Sequence, residues 1–119
     1  MLLKGTEAWN KWYEVNSNQS WVKITSSSEP IVFAGFGFKS ANDCSWRDPD
    51  QVTISSKNPL TSEWEVIAIC DLDFNDQRWK TIQFGNISGS SKALKFNFIN
   101  NGSWEMQLGE IIVYEEISS

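Results

Sequence analysis

Leu94-Lys95-Phe96-Asn97-Phe98 and, after a short polar gap, Met106-Gln107-Leu108-Gly109-Glu110-Ile111-Ile112-Val113-Tyr114 alternate large apolar residues with polar or smaller ones. In an extended chain successive side chains leave opposite faces, so this period predicts two strands with buried faces. In the second, Met106, Leu108, Glu110, Ile112 and Tyr114 are expected on one face, against Gln107, Gly109, Ile111 and Val113.

The same signal recurs upstream. Ser20–Thr25 puts Val22 and Ile24 on one face, and Gln51–Ser55 does so with Val52 and Ile54. Ile31–Lys39 is β-branched and aromatic, with Gly35 and Gly37 suited to a bulge or a close approach. Glu63–Cys70 is apolar on both faces and is expected to be buried on both. Arg78–Phe84 is expected as a strand with Ile82 and Phe84 inward, and Trp21, Trp64 and Trp79 are assigned to strands as core filler. Thr25–Pro30, Ser56–Pro59 and Gly85–Ser91 have turn composition. Thr6–Val15 predicts a short turn or packed loop. Short strands at regular spacing without a convincing helix predict an all-β, antiparallel β-sandwich or barrel.

A chain of 119 residues holds one domain, 1–119, and can hide roughly two thirds of its unfolded surface without a disulfide or metal staple. Cys44 and Cys70 are expected as free, partly buried thiols. Net charge is −5 with the ten Lys and Arg dispersed, so the positive stripe that a phosphate backbone requires is missing and nucleic acid is not the expected partner. The longest apolar stretch, Ile31–Gly37, is far short of the ~20 residues of a membrane helix. The opening Met1–Gly5 does not read as a signal peptide, which tips the expectation towards the cytoplasm or a piece of a larger protein.

The chain has no His, which removes the commonest general base and zinc ligand. Gly35-Phe36-Gly37-Phe38 lies within a strand, where a phosphate loop would need a following helix. Asp71-Leu72-Asp73-Phe74-Asn75-Asp76 has the oxygen-rich alternation of a calcium loop, but Asp76 stands where an EF-hand needs Gly, and an acidic turn between strands is expected. These features predict a binding module without catalytic residues, cofactor or metal.

Ser40-Ala41-Asn42-Asp43-Cys44-Ser45-Trp46-Arg47-Asp48-Pro49 is the most specific stretch. It closely resembles the S-A-N-D-x-x-x-R-D-P signature of galactose-binding-like domains, the coagulation-factor type C or discoidin superfamily. Leu2–Gly5 through Lys11-Trp12 looks like the opening L-x-D-G…T-K-W of that superfamily, and Met106–Ile111 resembles its closing Q-L-x-E-I strand. The likeness runs over nearly the whole chain, with the N-terminal strand expected to be short or absent.

The resemblance implies a jelly-roll sandwich whose loops at one end recognise sugars, lipids or proteins. Many members also hold a structural calcium near the opening Asp and the closing Glu. Here Lys4 replaces that Asp and Asn10 the Thr, so loss of the ion is expected, and Glu110 is an equal candidate for a buried partner of Lys4. Arg47 is expected to form a forked pair with Asp48 or a nearby carboxylate and pin the loop. Two ligand classes stay open. A glycan needs an aromatic plane and fixed polar groups, offered by Trp46 with Asn42, Asp43 and Arg47, or by Trp104 with Asn100 and Asn101. A protein ligand of a targeting module is the alternative, favoured by the acidic surface; galactose-binding members often use a His, which is missing here.

Overall fold

The computed structural model describes the backbone of residues 3–15, 19–26 and 28–116, and the side chains of 19–26 and 28–115. Eight strands follow in order: β1 (Leu3–Val15), β2 (Gln19–Thr25), β3 (Ile31–Lys39), β4 (Gln51–Lys57), β5 (Trp64–Asp71), β6 (Thr81–Ser91), β7 (Ala93–Ile99) and β8 (Glu105–Glu116). They form two four-stranded antiparallel sheets, ordered β1-β8-β3-β6 and β2-β7-β4-β5. The fold is an all-β sandwich, as the alternating pattern predicts. Among the described residues no helix is long and apolar enough to cross a membrane.

The core is built where the two inner faces interlock. Phe36 and Phe38 of β3 meet Phe96 and Phe98 of β7, with Phe36–Phe96, Phe38–Phe96 and Phe38–Phe98 ring centroids 5.5, 6.0 and 5.8 Å apart and near edge-on. That geometry sets the positive ring edge against the negative ring face. Val22, Val52, Ile54, Leu94, Met106, Leu108 and Ile111 belong to the same cluster, with Phe33, Cys70, Leu72 and Phe74. Cys44 and Cys70 are free, half-buried and buried respectively.

Several expectations are corrected. Thr6–Val15 is neither turn nor loop: it belongs to β1, the long N-terminal strand expected to be short or absent. Its poor alternation is overridden by β8, whose outer backbone groups need partners, and one register shift between Glu7 and Trp9 absorbs the mismatch. Gly85–Ser91 is strand as well, because the length of β3 supplies the pairing (Gly85 opposite Gly35, Ser91 opposite Ile31), and Ile87 packs on the core. Arg78 and Trp79 lie before β6 rather than within it.

The inward set of β8 also changes phase: Met106 and Leu108 face the core, and so do Ile111 and Val113. The break falls at Gly109, where a Cβ would stand 2.7 Å from the Ser40 carbonyl oxygen. Gly35 follows a register shift in β3, as its composition suggested, and a Cβ there would strike the Phe84 carbonyl. β5 is not buried on both faces. It is an edge strand of its sheet, and Val66 and Ile69 are exposed. Trp21 and Trp79 are 58% and 56% exposed, so neither is core filler; Trp64 is half-buried.

Candidate functional site

Three loops meet at one end of the sandwich: β3–β4 (residues 40–50), β5–β6 (72–80) and β7–β8 (100–104). Each is anchored from within. Ser40, fully buried, donates its hydroxyl to the Gln77 carbonyl (2.8 Å) and accepts from the Lys80 N–H (2.9 Å), tying the first loop to the second. Buried Asn100 donates to the carbonyls of Trp46 and Glu105, both at 2.9 Å, tying the first to the third. Asp50 accepts the Asn101 backbone N–H at 2.6 Å. Gln107, buried on β8, donates to the carbonyls of Asp43 and Cys44. Its Q-L-x-E-I position thus serves the signature loop directly.

The signature's arginine and aspartate part company. Asp48 is gripped by Arg78, not Arg47: Nη1 donates to Oδ1 at 3.1 Å and Nη2 donates to Oδ2. Burial outweighs that pairing and holds the Asp48 carboxyl above its ordinary value, although Arg78 pulls it down. Arg47 turns to Glu105, donating from Nε at 2.5 Å, so the forked Arg47–Asp48 pair is replaced by a nearby-carboxylate pair. The same Glu105 oxygen accepts from Trp46 Nε1 at 3.2 Å. Hydrogen bonding from Arg47 is the main cause that lowers the Glu105 carboxyl, with Trp46 adding to it.

These contacts leave Trp46 59% exposed yet held by its indole N–H, with the Arg47 guanidinium 5.6 Å from its ring centroid. It lies on a short 3-10 turn, Ser45–Arg47, entered through Cys44 in the left-handed region at φ 51°. Beside it opens a hollow of about 370 Å³ walled by Trp46, Asp50, Asp73, Asn75, Asp76 and Asn100, with Leu72, Phe74 and Pro49 among the apolar lining. Leu72 and Phe74 are buried while Asp73, Asn75 and Asp76 are exposed, so the acidic turn forms as expected. Asp73 accepts the Asn75 N–H at 2.9 Å, which fixes the turn.

Of the residues singled out from sequence, the structure brings Trp46 and Arg47 together through Glu105, and joins their loop to that of Asn101. Asn42 and Asp43 are exposed on the first loop, and neither lines the hollow. Trp104 is 68% exposed and also stands outside it. Asp50, Asp73, Asn75 and Asp76 are wall residues that loop composition alone marked only as turn formers. The apolar–polar alternation Leu72-Asp73-Phe74-Asn75 is the signal in the chain that points to them.

Among the described residues no three His, Cys, Asp or Glu side chains converge to hold a metal. Glu110 lies opposite Asn10 and Lys39, whereas Lys4 lies opposite Glu115. The strand register therefore does not support the Lys4–Glu110 alternative.

No family model matches the sequence, and no curated protein matches it closely. Solved structures do match in three dimensions. A coagulation-factor 5/8 type C domain from Bacteroides fragilis superposes with a TM-score of 0.72 at 16% identity, covering 91% of this chain and 74% of that one. A carbohydrate-binding module of Clostridium perfringens, in complex with GalNAc-β-1,3-galactose, gives 0.71 at 9% identity over 95% of both chains. The family 32 module of C. perfringens NanJ, in complex with galactose, gives 0.69 at 11% identity over 96% of this chain and 93% of that one. The fold is that of the galactose-binding-like domains. Within this discoidin-like jelly roll, the three anchored loops occupy one rim of the sandwich.

Proposed function

We propose that the chain is a non-catalytic carbohydrate-binding module that takes a sugar at the loop end. The observation that carries this is Trp46: an exposed indole, fixed by Glu105 and Arg47, beside a hollow edged with carboxylates and an amide. A sugar has an apolar C–H face and a rim of hydroxyls, and the two halves of this site match those two needs. Asp50, Asp73, Asn75 and Asp76 supply the hydroxyl partners. Arg47 and Asn101 sit on the loops that bound the hollow without lining it, and with Asn42, Asp43 and Trp104 they are placed to meet a longer glycan outside it. The likeness in fold to modules solved with galactose and GalNAc-β-1,3-galactose supports the same ligand class. The chain has no His, the commonest general acid–base side chain, which supports reading the site as one that binds without turnover.

A glycan array followed by calorimetry on the purified chain tests the proposal. Binding to galactose-type sugars is expected, weakened at least about tenfold by Trp46→Ala, a loss of the size an aromatic platform contributes. An array without a sugar hit, or full affinity in a folded Trp46→Ala protein, sinks it.

A further inference from the structure

Trp21 lies on the outer face of the sheet β2-β7-β4-β5, opposite in sense to core residue Val22 beside it. The Lys95 ammonium stands 4.9 Å from its ring centroid and 5.8 Å from that of Trp64, on the far edge strand. A Trp–Lys–Trp line therefore crosses the sheet from edge to edge. Between the rings the register sets polar groups side by side: Trp21 opposite Asn97, Asn97 opposite Thr53, and Lys23 opposite Lys95. A hollow of about 280 Å³ beside Trp21 is lined by Gln19, Ser20, Asn97, Phe98 and Ile99, and it shares no residue with the loop-end hollow.

Two lysines directly opposite on neighbouring strands repel each other. Neither Lys23 nor Lys95 has a carboxylate partner among the described residues, in a chain of net charge −5. An arrangement that concentrates positive charge between two indole faces is relieved by an anion that also has an apolar face. We propose that this sheet face is a second binding site, for a uronate-containing polysaccharide strand. Trp21 and Trp64 take the C–H faces of its sugars, Lys23 and Lys95 its carboxylates, and Asn97, Thr53 and Gln19 its hydroxyls. A second copy of this chain docked across a two-fold axis would set the lysines against themselves. A phosphate backbone asks for a broader positive stripe than two ammoniums.

Calorimetric titration of the full chain with oligogalacturonate tests the site, with galactose, poly-glutamate and a single-stranded oligonucleotide run in parallel. Trp21→Ala and Lys95→Gln are each expected to raise the oligogalacturonate Kd about tenfold while leaving the galactose titration unchanged. Lys23→Gln serves as a third variant, and circular dichroism confirms that each is folded. The proposal is overturned by absence of uronate binding, or by its loss in Trp46→Ala but not in Trp21→Ala. It is equally overturned if the lysine variants weaken binding and Trp21→Ala does not, which is plain charge attraction. Tighter capture of poly-glutamate or the oligonucleotide through these residues also overturns it. Failure here leaves the galactose titration at the loop end standing or falling by itself.

Discussion

Arg78, in the β5–β6 loop, holds both carboxylate oxygens of Asp48 in the β3–β4 loop, and its Nη1 also donates to the Asp43 carbonyl at 3.0 Å and the Ala41 carbonyl at 3.3 Å. One guanidinium thus gathers a side chain and two backbone carbonyls of the signature loop. Its planar fork of donors suits that task, where the point charge of a lysine does not.

Removing the guanidinium leaves a largely buried carboxylate and two carbonyls without it. Arg78→Leu is expected to destabilise the domain by about 2–3 kcal/mol, and Arg78→Lys to recover only part of that. Asp48→Asn costs less, because it removes a charge that burial already disfavours while keeping an acceptor for Arg78. Urea denaturation of the three variants checks the order; equal losses for Arg78→Leu and Arg78→Lys would show that the fork geometry is irrelevant.

Asp48 and Glu105 give stability opposite dependences on pH. The folded Asp48 carboxyl is raised, mainly by burial, so its contribution is fully present below the unfolded value and is lost as pH rises through the folded one. The folded Glu105 carboxyl is lowered, mainly by its hydrogen bond from Arg47, so its contribution is present above the unfolded value and is lost as pH falls through the folded one. Compared with Asp48→Asn, wild-type stability should therefore decline on going upward through the range just above ordinary aspartate values. Compared with Glu105→Gln, it should decline on going downward through the range below ordinary glutamate values. Urea midpoints measured across the acid range check both slopes, and a common slope for the two comparisons would contradict the assignment.

Gly109 is a site where the backbone itself is crowded. A Cβ would meet the Ser40 carbonyl oxygen at 2.7 Å and that of Lys39 at 3.0 Å, and neither is the free end of a flexible side chain. Gly109→Ala is expected to cost about 1–3 kcal/mol, and to loosen the start of the signature loop as well as β8. A thermal melt measures the first effect, and amide exchange at Ser40 and Ala41 the second. A wild-type melt for Gly109→Ala would mean that β8 accommodates the methyl group without strain.

The layers of this fold are legible because burial imposes a period of two on β2, β4, β7 and much of β8, while β3, buried continuously from Phe33 to Phe38, is marked instead by its β-branched and aromatic composition. Where a strand gains its place from a partner instead, the period fades. β1 and the Gly85–Ser91 half of β6 are strands because β8 and β3 offer them unpaired backbone groups, which composition does not reveal. An apolar run such as Val66–Ile69 cannot say by itself whether a second layer covers it, and in β5 the outer side is open. At the candidate site the chain offers Trp46 and its loop as candidates, and the exposure of the ring is a structural fact. Its holder, Glu105, lies 58 positions from Arg47, and Asp48's partner Arg78 lies 30 positions away. Such pairings depend on how three loops converge, a relation that linear spacing does not encode.

The most informative change at the loop end is therefore to the residue that holds the platform. Glu105 accepts from both Arg47 Nε and Trp46 Nε1, so Glu105→Ala frees the indole without shortening it. The half-buried ion pair adds only modestly to stability, and the melting temperature should fall slightly, in line with the Glu105→Gln comparison. Sugar affinity should nevertheless fall by about threefold, because ordering the freed ring is then paid at the moment of binding. Trp46→Ala should lose more, since it removes the surface as well as its orientation. Calorimetry and the Trp46 indole N–H resonance, which should broaden in Glu105→Ala, report the two effects separately. Unchanged affinity together with a broadened resonance would mean that the sugar orders the ring by itself, and that Glu105 has no positioning role.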